Sequence, residues 1–146
     1  MTEDSGATPT PYVLDVSVLV EVARADAEVT RLVITLDGWG RPLVIPVLAI
    51  TAASLDTRTE DGDVALLGLE RLENTVVAPL RDTEQAASLA AVIAKTGLEM
   101  CDAHVATVAD ASVCPVLTMD APKWREHVTA LGEPLHIIEI AEPGEG

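Results

Sequence analysis

Short apolar runs alternate along this chain with longer stretches in which apolar residues recur every three or four positions. Tyr12-Val13-Leu14, Leu43-Val44-Ile45, Thr75-Val76-Val77-Ala78, Val116-Leu117-Thr118-Met119 and Leu135 to Ile140 have the length and β-branched content of buried strands. Helical spacing joins Val18, Leu19, Val22 and Ala23, then Val29, Leu32, Val33 and Leu36, and later Ala65, Leu66, Leu69 and Leu72. Pro46 suits the first turn of a helix running to about Leu55, because its missing N–H costs nothing there. Asp37-Gly38 with Gly40 ends the second helix by turn chemistry. Asp82-Thr83-Glu84 opens a helix over Ala86 to Ala94 that Gly97 stops, and two more helices span Glu99 to Ala111 and Ala121 to Leu131. Strands alternating with helices of about ten residues predict an α/β domain, a five-stranded parallel sheet with helices on both faces.

The chain is one domain long at 146 residues, and with 49% of them apolar it can bury a proper core. Residues 1–10 and the acidic stretch 142–146 are expected to be disordered tails around a domain over 11–141. No apolar run reaches the roughly 18 residues of a membrane span, and Met1-Thr2-Glu3-Asp4-Ser5 lacks the positive start of a secretory signal, so a cytoplasmic protein is expected. Cys101 and Cys114 have neither CxxC spacing nor a His/Cys set nearby and are expected to be reduced core thiols.

Charge narrows the function further. A net charge of −15 opposes general affinity for nucleic acid, which depends on Lys and Arg releasing counterions. With Tyr12, Trp39 and Trp124 the only aromatic residues, there is no material for a base-stacking platform. No Gly-rich phosphate loop, GxSxG elbow or Cys-His pair is present.

The candidate chemistry is acidic. Asp15 and Asp120 each close an expected strand, where they would lie along the carboxyl edge of the sheet, the usual place for sites in open α/β folds. Asp102 shares a helix face with Val105, Ala106 and Ala109 or, if the helix starts there, serves as its N-cap. Either buried role asks for a partner, since an ionised carboxylate on a packed face is costly when alone. Three acids at one edge suit Mg²⁺ or Mn²⁺. Ser17 and Thr118 stand within two residues of the strand-end acids, where they can hold a carboxylate or simply cap. Lys123 and Arg125, with His127, form the only positive cluster nearby, either a phosphate contact or a solvated helix face. His104 and His136 lack ligand spacing and read as structural or exposed.

With these residues in view, the chain resembles PIN-domain proteins, in particular the VapC-type toxins of bacterial toxin-antitoxin pairs. The resemblance rests on Val13-Leu14-Asp15-Val16-Ser17-Val18-Leu19, Asp102-Ala103-His104-Val105-Ala106 and Val116-Leu117-Thr118-Met119-Asp120, in that order and spacing. It implies a PIN-like three-layer α/β/α fold and an Mg²⁺- or Mn²⁺-dependent endoribonuclease with Asp15, Asp102 and Asp120 as metal ligands or water-orienting acids. An RNA substrate, an antitoxin partner and a homodimer come with it. Family members usually carry a further acid, often Glu, two turns into the helix after the second strand. That place falls on Ala52, with Thr51 beside it and Asp56 one turn beyond. The departure leaves a second reading open, a PIN-type fold without catalysis that serves as a protein-binding module.

Overall fold

The computed structural model describes residues 9–132 and 134–140; the expected tails fall mostly on residues 1–8 and 141–146, outside them. The described residues form β1 (Tyr12–Leu14), α1 (Val16–Ala23), α2 (Ala27–Gly38), β2 (Leu43–Pro46), α3 (Val47–Thr57) and α4 (Glu60–Glu70). They continue through β3 (Thr75–Ala78), α5 (Thr83–Thr96), α6 (Met100–Ser112), β4 (Val116–Thr118), α7 (Ala121–Val128) and β5 (Ile137–Glu139). The architecture is an α/β fold built on one five-stranded parallel sheet.

Sheet order is β3-β2-β1-β4-β5, and every pairing is parallel. Val13 of β1 faces Val44 of β2 on one side and Val116 of β4 on the other. The chain therefore starts in the middle, winds outward through β2 and β3, and returns to build β4 and β5 on the opposite side. That reversal puts a switch point between β1 and β4, where the loops leaving two adjacent strands diverge and open a crevice at the carboxyl edge.

Small side chains set the packing. Ala49 and Ala53 of α3 and Ala103, Val105 and Ala106 of α6 are fully buried. α3 packs against both α1 and α6, a close approach that alanine faces allow. Asp26, Thr59 and Asp82 each accept a backbone N–H in the first turn of α2, α4 and α5. Gly97 ends α5 at φ +72°, the left-handed conformation that a side chain disfavours.

Boundaries differ from expectation at four places. Pro46 is the last residue of β2 as well as the N-cap of α3, β4 stops before Met119, α7 stops at Val128, and β5 is limited to Ile137–Glu139. At β4 the cause is a long-range contact, because Met119 N–H bonds the Ser17 hydroxyl at 2.9 Å instead of a neighbouring strand. Both cysteines are free thiols, Cys114 buried and Cys101 half-buried. No helix among the described residues is long and apolar enough to cross a membrane.

Candidate acidic site at the sheet switch point

Asp15 follows β1 directly and extends the ladder, its N–H donating to Leu117 O of β4. It is also the N-cap of α1. Oδ1 accepts the Val18 N–H at 3.1 Å and the Ser17 hydroxyl at 2.6 Å, while Oδ2 accepts the Trp124 indole N–H at 2.9 Å. Both oxygens are thus engaged, and the residue has no exposed surface. Ser17 and Thr118 link the two strand ends: their hydroxyls lie 3.3 Å apart, and Thr118 Oγ1 accepts the Asp120 N–H at 2.9 Å.

Asp102 reaches the same place from α6. Glu99 caps that helix, its carboxylate accepting the Cys101 N–H at 3.3 Å, so Asp102 is the third helical residue and not the cap. Lys123 Nζ lies 3.0 Å from Asp102 Oδ2, with the aspartate side chain 14% exposed. Asp102 Oδ1 is buried without a hydrogen-bond partner among the described residues. Burial pushes this carboxyl above its ordinary range; the Lys123 ammonium pulls it back, and the negative charges of Asp15 and Glu99 push it up again. The Asp15 charge therefore reaches Asp102, although the two residues are far apart in sequence.

Asp120 begins α7 as its N-cap, Oδ1 accepting the Lys123 N–H at 3.3 Å, and it is exposed. Beside it the Ala121 N–H donates to Glu139 Oε2 at 3.2 Å. Among the described residues no three His, Cys, Asp or Glu side chains gather closely enough to hold a metal ion together. The structure brings Asp15 and Asp102 together and sets Asp120 on the helix start next to them.

The remaining candidates divide. Arg125 is exposed on α7, and His127 Nδ1 lies 3.0 Å from Thr96 O at the end of α5, a structural contact. Ala52 is half-buried on α3, and Thr51 bonds back to Val47 O. Asp56 pairs with Arg24 at 2.8 Å, beyond the far end of α1 from Asp15, so it does not stand in for an acid at Ala52. His104 is buried, with Nδ1 accepting the Leu48 N–H at 3.3 Å, and burial holds it below the ordinary histidine range. His136 is exposed.

Lys123 was singled out in the sequence as a phosphate contact or solvated cation, but its pairing with Asp102 was not, and Trp124 was missed as a partner of Asp15. Lys123 and Trp124 are consecutive in one helical turn, yet each serves a different acid, and those acids lie 21 and 109 residues away. The local signals were the positive cluster that holds Lys123 and, for both residues, their position one turn after a strand-end aspartate.

Chemically, the pair asks for positive charge. Asp15 is buried and held by neutral donors, while Asp102 is half-buried within reach of its charge, has one oxygen without a donor and is answered by one ammonium, that of Lys123. A divalent ion with oxygen ligands fits that donor set, since Mg²⁺ is commonly held by one or two carboxylates with water completing its shell.

No known protein-family profile matches the sequence, and no curated protein matches it either. Solved structures do. The VapBC2 complex of Rickettsia felis, solved bound to a DNA fragment from its promoter, matches at TM-score 0.63 and 11% identity, covering 90% of this chain and 99% of that one. A toxin-antitoxin complex from Klebsiella pneumoniae matches at TM-score 0.59 and 14% identity, covering 88% and 99%. PAE2754 from Pyrobaculum aerophilum matches at TM-score 0.51 and 21% identity, covering 88% and 91%. At such identities the likeness is one of fold, and it spans nearly the full length of each chain.

Proposed function

We propose that this protein is a metal-dependent endoribonuclease of the PIN type, acting as the toxin of a toxin-antitoxin pair. The observation that carries the reading is the buried Asp15 with the half-buried Asp102 near it at the switch point, Asp102 Oδ1 being left without a donor. Native proteins seldom keep a buried carboxylate oxygen unpaired unless something binds it. Asp15 and Asp102 would hold Mg²⁺ or Mn²⁺, and the ion would supply an activated water and neutralise charge on the phosphodiester. Trp124 and Ser17 fix the Asp15 carboxylate, so its orientation precedes binding. Asp120, at the exposed start of α7, is the acid placed to orient a proton near the incoming water. Thr118 fixes the Asp120 backbone, and Lys123 and Arg125 are the groups nearest to receive phosphate.

An antitoxin partner has support at the far end of α1 from Asp15. An apolar cavity of about 590 Å³ is lined by Val22, Ile34, Ala65, Leu69 and Leu72, with Ile34 49% exposed, and suits an apolar segment of another chain. A homodimer belongs to the same proposal, and sedimentation equilibrium of the purified chain tests it.

A second reading has its own observations. Ala52 supplies no carboxylate, the Trp124 N–H occupies one oxygen of Asp15 and Lys123 occupies one of Asp102. Such a site would bind metal weakly or not at all, leaving a protein-binding module.

Incubation of the purified chain with a mixed RNA pool in Mn²⁺ separates the two. The nuclease reading predicts cleavage that Asp15→Asn and Asp102→Asn both abolish, with 5′-phosphate product ends. Cleavage that survives both substitutions, or none at millimolar Mn²⁺, would favour the binding module.

A further inference from the structure

We infer that Lys123 is the resident cation of the acid pair and that a divalent ion enters only by displacing it, so this lysine sets how tightly the site holds metal. The inference rests on the metal-binding reading above. Nζ lies 3.0 Å from Asp102 Oδ2, and the Lys123 side chain is 32% exposed, so it has an open path to solvent. One ammonium serves one oxygen and leaves Oδ1 unanswered. The lysine is anchored at its base by the Asp120 carboxylate on its backbone N–H, while its stem is free to swing. Its Nζ also lies 5.8 Å from the Trp124 ring centroid, a second attraction that keeps it over the site.

Two adjacent side chains thus treat the two acids differently. Trp124 is rigid, fully buried and bonded to Asp15, so it orients that carboxylate. Lys123 is long and strongly hydrated, and a part-exposed ion pair of this kind is weak enough to exchange. A divalent ion brings twice the charge and can bind the oxygen that Lys123 leaves unpaired. The lysine then moves out to solvent.

The test is Mn²⁺ calorimetry on the intact wild type, Lys123→Gln and Arg31→Gln, with Mn²⁺-induced change in Tm as a second readout. Lys123→Met, which keeps the aliphatic stem, is run beside them in case the Gln variant does not fold. Loss of Lys123 should tighten Mn²⁺ binding about fivefold, the equivalent of an ion pair worth roughly 1 kcal/mol. Arg31→Gln, on the exposed surface of α2 with its side chain 71% exposed, makes the same change in net charge and should stay within about twofold of wild type, since an exposed charge is screened. Binding by the Lys123 variants alone would also uphold the inference, with the lysine closing the site fully. Equal or weaker binding after loss of Lys123 would overturn it and leave the metal site standing. No saturable binding by any of the four proteins would overturn the metal-binding reading itself.

Discussion

Buried aspartates sit at both edges of the sheet, and they are satisfied in opposite ways. At the amino edge, Asp37 in the last turn of α2 is 5% exposed, and its Oδ1 accepts the Asn74 N–H at 2.8 Å and the Thr75 hydroxyl at 3.0 Å. Its carbonyl accepts the Asn74 side-chain N–H at 2.9 Å. Every donor is neutral and held by the start of β3, so Asp37 acts as a staple between α2 and the sheet. At the carboxyl edge, two acids share a space, one oxygen lacks a donor, and the compensating charge sits on a flexible lysine. A satisfied acid holds a fold together; an unsatisfied pair stores binding capacity at the cost of stability.

The largest effect should come from breaking the staple. Asp37→Ala leaves a buried N–H and a hydroxyl without acceptors and should cost about 3 kcal/mol in urea unfolding. Asp37→Asn keeps an acceptor at Oδ1 and should cost only about 1 kcal/mol. Equal losses would mean that charge and not the neutral hydrogen bonds gives Asp37 its role.

Asp15→Asn comes next. The cap on α1 survives through Oδ1, but the amide nitrogen then faces the Trp124 N–H, donor against donor, at a cost of roughly 1.5 kcal/mol. Trp124 fluorescence, in a Trp39→Phe background to remove the exposed indole, should shift as that bond is lost.

Asp102→Asn should go the other way. Removing charge from the pair relieves the buried, unpaired oxygen, and Tm of the metal-free protein should rise by roughly 2 °C near neutral pH. The pH dependence follows from the same cause. Because burial raises this carboxyl above its ordinary 3.8, the folded chain keeps the proton to higher pH than the unfolded chain. The stability so gained is full below the unfolded value and is lost as pH rises through the raised folded value. Urea melts of the wild type should show that decline, and Asp102→Asn should flatten it.

The smallest effect concerns a third buried group, beside the carboxyl end of β2. Burial lowers His104 below its ordinary 6.5, so stability present above that value is lost as pH falls through the depressed one. Asn at this position keeps an acceptor for the Leu48 N–H and should remove that acid limb while leaving the Asp102 limb intact.

How far the sequence could be read depended on the range of the interactions. Every element was legible because apolar period and capping residues act within a few positions, as at Asp15, Asp82 and Gly97. The ends were less so: Met119 leaves β4 for a hydroxyl 102 residues away, which no local pattern records. Asp15 and Asp102 were readable as unusual acids on apolar elements. Their partners were not, since the roles of Lys123 and Trp124 depend on how α7 settles against α1 and α6. Asp56 shows the converse, a well-spaced acid on the right helix that Arg24 holds elsewhere.

The most direct measurement is a Mn²⁺ titration by calorimetry of the wild type, Asp102→Asn and Asp37→Asn. Saturable binding of about one ion per chain in the wild type and in Asp37→Asn, lost in Asp102→Asn, is the result expected if the carboxyl-edge pair is the cation site and the amino-edge acid only a staple. Binding that survives Asp102→Asn, or none in the wild type at millimolar Mn²⁺, would contradict it.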